Sequence, residues 1–191
     1  MKLHSKHLLI TFSLVAALFT STAWCADADD CQLTLSSPDV KFGRFKQDEE
    51  VSTQQGWHQM PSREINVSVN CPESQTIALF VQARAGEKGR FYFGDSSGLA
   101  VRASQMVVDG KSYTIAKTVD RTQFTVDGDA QESLLLRNNT GIIAVNNHQQ
   151  VSGKQMNIVL SLTPVLSDRQ FNHVGDTVTL ESNLMWEVLT K

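Results

Sequence analysis

The sequence predicts an all-β protein built as an antiparallel sandwich, and three observations carry that reading. Apolar and polar residues alternate with a period of two through most of the chain. The interruptions are built of Gly, Asn, Asp, Ser and Pro, the residues of tight turns. One pair of cysteines, Cys31 and Cys71, stands in a chain that opens like an exported protein. Many short strands without internal duplication, linker or low-complexity run fit two packed sheets.

The amino terminus comes first. Lys2, His4, Lys6 and His7 precede an apolar run from Leu8 to Phe19, followed by the small residues Ser21, Thr22 and Ala23. That run is shorter than the roughly 20 residues a membrane span needs, and a peptidase site follows it at once, so residues 1–26 are expected to be a signal peptide. Small residues leave the cut open between positions 23 and 28. Residues 27–191 are then expected to form a single domain, large enough for a proper core. Cys25 is expected to leave with the signal, which makes Cys31 and Cys71 the pair to be oxidised after export. Lys2 and Lys6 are lost with it while every Asp and Glu lies after it, so the processed domain is more acidic than the whole-chain formal charge of −3. Nucleic acid and anionic membranes are poor partners for such a chain.

The strands follow in order. Ile65, Val67, Val69 and Cys71 share one face, with Pro72 expected to end the strand. Ile77, Leu79, Val81 and Ala83 form a second such face, Phe91 and Phe93 mark a third strand, and Leu99 and Val101 a fourth. Gly86-Glu87-Lys88-Gly89 and Gly94-Asp95-Ser96-Ser97-Gly98 separate them. Asp109-Gly110, between Met106-Val107-Val108 and Tyr113-Thr114-Ile115, is the strongest short hairpin signal in the chain. Asp127-Gly128-Asp129 reads as a hairpin turn; it resembles the start of a calcium loop but lacks the Gly and Glu such a loop needs at its sixth and twelfth places. A short helical turn is expected near Ala130 to Ser133. Met156, Ile158, Leu160 and Leu162 alternate up to Pro164, and the last run carries Leu184, Trp186 and Val188 almost to the end.

Catalytic and metal chemistry find little support. His58, His148 and His173 are isolated in polar segments without a His-x-His or Glu-x-x-His spacing and read as solvated loop histidines. No nucleophile elbow or phosphate-cradling glycine loop is present. No cofactor is expected. Trp57, among Gln54, Gln55, His58 and Gln59, has two readings: a platform for a sugar, or the favoured one, a plug closing one end of the sandwich core.

At this point a family enters. Cys31-Gln32-Leu33-Thr34-Leu35, then Val40-Lys41-Phe42-Gly43, then Ile65-Asn66-Val67-Ser68-Val69-Asn70-Cys71 resemble the opening of bacterial chaperone–usher pilins. Met156 to Pro164 and Val178 to Leu189 resemble that family's final strands, with Gly175 the best match to the Gly that begins the last one. The resemblance implies an incomplete immunoglobulin-like β-sandwich, one strand short. Its open groove beside the final strand, at Leu184, Trp186 and Val188, would be filled first by a periplasmic chaperone and then, through the outer-membrane usher, by a strand of another fimbrial subunit. Donor-strand complementation, display on the cell surface and support of cell adhesion are the functions it implies. Asp27, Asp29 and Asp30 dominate the few residues between the expected cut and Cys31, which predicts a subunit that accepts a strand without donating one, hence a minor or tip subunit. A receptor- or glycan-binding adhesin is the second reading. A periplasmic hydrolase or ligand carrier is the third, and the lack of any clustered Ser/His/Asp or Cys/His set speaks against it.

Overall fold

The computed structural model describes residues 30–94, 97–172 and 179–191. The expected signal peptide, Cys25, Asp95-Ser96, His173, Gly175 and Val178 lie outside them.

Among the described residues, strands dominate. Strands β1 (Gln32–Leu35), β2 (Ser52–Gln54) and β3 (Trp57–Gln59) lead into the 20-residue β4 (Arg63–Gln82). Next come β5 (Phe91–Tyr92), β6 (Gly98–Val108), β7 (Lys111–Ser112) and β8 (Thr114–Thr118). After β9 (Asp127–Gln131), β10 (Ser133–Leu135), β11 (Thr140–Asn146) and β12 (Gln149–Gln150) the chain runs through the long β13 (Ser152–Ser167). A single helical turn, α1 (Asp168–Phe171), and a final strand, β14 (Met185–Thr190), complete the described chain.

All pairings are antiparallel, and they form two sheets that share β4. The first runs β10-β6-β13-β4-β1, with β3 on the far half of β13; the second runs β9-β8-β11-β4-β14. The first half of β4 lies in one sheet and Ile77 to Gln82 in the other. The crossing is a bulge: residues 71–74 of β4 oppose only Lys154 of β13, since Asn70 pairs with Gln155 and Gln75 with Gly153. A bulge bends its strand and leaves residues unpaired. Pro72, which has no N–H to give a ladder, sits inside it, so it marks the corner of a continuous strand rather than the strand's end. Pro164 likewise fails to end β13, which continues to Ser167 with Pro164 opposite Leu99. Its carbonyl still accepts a bond from the Met60 N–H.

The main core lies between the sheets. Val67, Val69, Val101 and Leu160 come from the first, Leu79, Val81, Ile115 and Ile142 from the second, and all are buried. A second cluster covers the outer face of the second sheet, where Ala78, Phe80, Ala116, Ile143 and Val145 pack around Phe124. This explains β11, which no alternation announces: Ile142 to Val145 is a continuous apolar run because both of its faces are buried.

Local chemistry accounts for the rest. Asp109 and Gly110 both take positive φ, +47° and +78°, as the central pair of a two-residue hairpin requires. The Asp109 carboxylate accepts the N–H groups of Lys154 and Gln155 across the sheet, beside the bulge. Two expectations need correction. Asp127 to Gln131 is strand β9 on β8, not a hairpin turn, because Gly128 takes a φ of +87° and a register shift absorbs the irregularity. Ala130 to Ser133 forms no helical turn: Ala130 and Gln131 end β9, Ser133 opens β10, and Glu132 is a bend between them, because the flanking backbone is used by β8 and β6. The third strand is also shorter than its Phe91 and Phe93 pattern suggests, ending at Tyr92 with Phe93 still buried.

Candidate functional site: an open apolar groove

β1 and β14 are edge strands, and both border β4, one in each sheet. Cys31 and Cys71 are bridged, which ties the start of β1 to the corner of β4. From that corner β1 runs away while β14 runs back toward it, so Leu35 and Met185 stand at the far end of the same open side. There the two sheets are not closed over the core.

The result is a groove of about 1590 Å³. Its floor is core: Ile65, Leu99, Leu162 and Leu166. One wall is the trio Phe42, Phe45 and Phe93, with ring centroids 5.9 to 6.4 Å apart. The other is Leu180, Leu184 and Trp186, all half-buried, with Met185 left 64% exposed at the mouth. Residues 37–46, which hold the Val40-Lys41-Phe42-Gly43 element, belong to no strand. They cover part of the core with Val40, Phe42 and Phe45 and leave the outer edge of β14 without a strand beside it among the described residues.

Of the last-strand residues named from the sequence, Leu184 and Trp186 line the groove, Leu184 from just before β14. Val188 also packs against the main core but not at the groove surface. The aromatic wall was not legible in advance. Its members come from two segments far apart in the chain, residues 37–46 and the position just past the end of β5, and only the V-x-F-G spacing hinted at Phe42.

His58 and Trp57 depart from expectation. His58 is no solvated loop residue: it is 8% exposed, stacks on Phe171 at 3.8 Å between centroids, and sits between two carboxylates. Its Nε2 lies 2.6 Å from Asp168 Oδ1 and its Nδ1 3.2 Å from Glu50 Oε2. Burial pulls its pKa down, but the hydrogen bonds and charges of Asp168 and Glu50 outweigh that and raise it. Asp168 and Phe171 come from the far end of the chain and Glu50 from the loop before β2, so no Glu-x-x-His or His-x-His spacing revealed the cluster. Because Phe171 also lines the groove, this cluster fixes one end of it. Trp57 is not a core plug either. Alternation along β3 turns His58 inward and Trp57 onto the outer face of the first sheet, where the guanidinium of Arg90 lies 4.5 Å and the ammonium of Lys88 5.6 Å from its ring centroid.

No protein-family model matches the chain, and no curated protein matches it. Among solved structures, the crystal structure of the P pilus rod subunit PapA is similar over 92% of this chain and 99% of that one, with 9% sequence identity and a TM-score of 0.41.

Proposed function

We propose that the chain is a subunit of a chaperone–usher fimbria, exported to the periplasm and then displayed on the cell surface, and that its groove receives a strand from a partner. The observation that carries this reading is the groove itself: an apolar channel whose wall is the edge strand β14 and whose floor is the protein core. An extended peptide laid there gains main-chain bonds from the strand edge and places alternate side chains on Leu99, Leu162 and the aromatic wall. Left open, the same surface invites aggregation, which is the physical reason a dedicated chaperone partner is needed. Asp27, Asp29 and Asp30 make a poor donor segment, and this supports an acceptor-only, tip or minor subunit with a role in adhesion.

The test is capture. Periplasmic chain is incubated with a peptide from the amino-terminal extension of a co-produced fimbrial subunit and, separately, alone. The reading requires stable one-to-one peptide capture and co-purification with a periplasmic chaperone. Failure of both removes it, and efficient self-polymerisation into long fibres removes the acceptor-only role.

A further inference from the structure

The outer face of the first sheet carries a cleft of about 390 Å³, separate from the groove and within the range of small-ligand sites. Among the described residues three cations border it, Lys88, Arg90 and Arg102, and no carboxylate lines it. That is unexpected in a chain with a formal charge of −3. Glu87 acts on Arg90 from beside the cleft, but burial prevails and lowers the guanidinium's pKa.

The arrangement is constructed rather than incidental. Arg90 reaches the Trp57 ring by lying across Gly98 of β6, where a Cβ would stand 2.7 Å from its Cδ. Only glycine leaves that path open. Arg90 Nη1 is buried without a hydrogen-bond partner, a donor whose counterpart is missing among the described residues. Arg102 stands two same-face positions along β6 from Gly98, beyond Ala100, and donates to Ser133 Oγ at 3.2 Å. Three like charges therefore border one cleft, where an acceptor with negative charge would relieve their repulsion.

The remaining lining decides the class of anion. Ser52 donates to Gln59 Oε1 at 3.3 Å and Thr163 Oγ1 lies 2.6 Å from Ser62 Oγ, but the amides of Gln54 and Gln55 carry both donors and acceptors. A bare inorganic anion only accepts and would leave their acceptors unmatched, whereas sugar hydroxyls do both. Because the indole face of Trp57 is already covered by cations, the ring acts as their support and not as a sugar-stacking surface. The geometry points to a binding site for an acidic saccharide, its carboxylate or sulfate held by Arg90, Lys88 and Arg102 and its hydroxyls by the glutamine amides.

The site is independent of the groove and is tested separately. The exported chain, purified from the periplasm with whatever partner accompanies it, is labelled with ¹⁵N so that the indole signals of Trp57 and Trp186 are resolved, with Trp57→Phe assigning the first. Probes are a hyaluronan tetrasaccharide, sialyllactose, a heparin tetrasaccharide, neutral lactose and sodium sulfate. A saturable shift of the Trp57 signal with at least one acidic saccharide is expected, at least tenfold weaker in Arg102→Gln and in the exposed Lys88→Gln, whose melting should be unchanged. Weakening by added salt is also expected. No saturable shift with any of the three acidic saccharides overturns the proposal. So does an equal response to lactose or to sodium sulfate, or unaltered binding by both variants.

Discussion

Replacing Trp186 with alanine perturbs two equilibria at once, and their sizes differ. A tryptophan buries on the order of 200 Å², and Trp186 is half-buried, packed on the main core while its remainder faces the groove. If roughly 150 Å² is already covered by the core, the transfer energy at ~25 cal/mol/Å² is about 4 kcal/mol, which compactness of the unfolded chain reduces to about 3 kcal/mol. That agrees with the usual range of about 3–5 kcal/mol for truncating a core aromatic. The uncovered ~50 Å² would be buried only when a strand fills the groove, adding about 1.2 kcal/mol, or roughly eightfold in Kd. Trp186→Ala should therefore destabilise the chain by about 3 kcal/mol and weaken capture of a donor peptide about eightfold or more. Trp186→Phe should do less of each. Urea melts and fluorescence anisotropy of a labelled peptide measure the two effects. Wild-type stability in the alanine variant would show that Trp186 does not pack on the core, and undiminished peptide affinity in a folded variant would refute the groove assignment.

Three further outcomes follow from the same geometry. Removing the Cys31–Cys71 bridge opens a loop of separation 40 and should cost about 4 kcal/mol by the chain-entropy model, read as a lowered midpoint in a Cys31→Ala/Cys71→Ala variant. Because the pKa of His58 is raised, its contribution is complete below the unfolded value of about 6.5 and is lost as pH climbs through the folded value. Asp168→Asn should therefore lower the melting temperature most below about pH 6.5 and progressively less as pH rises through the folded value, and a pH-independent difference would contradict the ion-pair account. Gly141→Ala sets a Cβ 2.7 Å from the Phe80 ring and should destabilise by about 1–3 kcal/mol through overpacking, with Gly128→Ala as a strained but uncrowded comparison.

Much of this architecture is legible before any coordinates. Ile65 to Cys71 alternate because one face of β4 meets the core and the other meets water, and Asp109-Gly110 turns because both residues must take positive φ. Both are local rules, so local sequence reveals them. The reading fails where a second layer intervenes. Phe124 and its neighbours cover the outer face of the second sheet, which erases the alternation in Ile142 to Val145 and hides β11. Backbone pairing with β8 and β6 likewise overrides the turn-like composition of Asp127 to Ser133.

The sequence by itself determined the all-β class, the period of the strands, the cysteine pair and the identity of the last strand, because each depends on residues near one another in the chain or on the count of a rare residue. Only the tertiary structure decided where β4 turns between sheets, which edges stay open, and which side chains meet. Phe42 reaches Phe93, His58 reaches Asp168, and Arg90 reaches Trp57 through strand pairings set by the whole sandwich. Contacts at such separations are chosen by the packing of two sheets, and no local spacing in the chain encodes them.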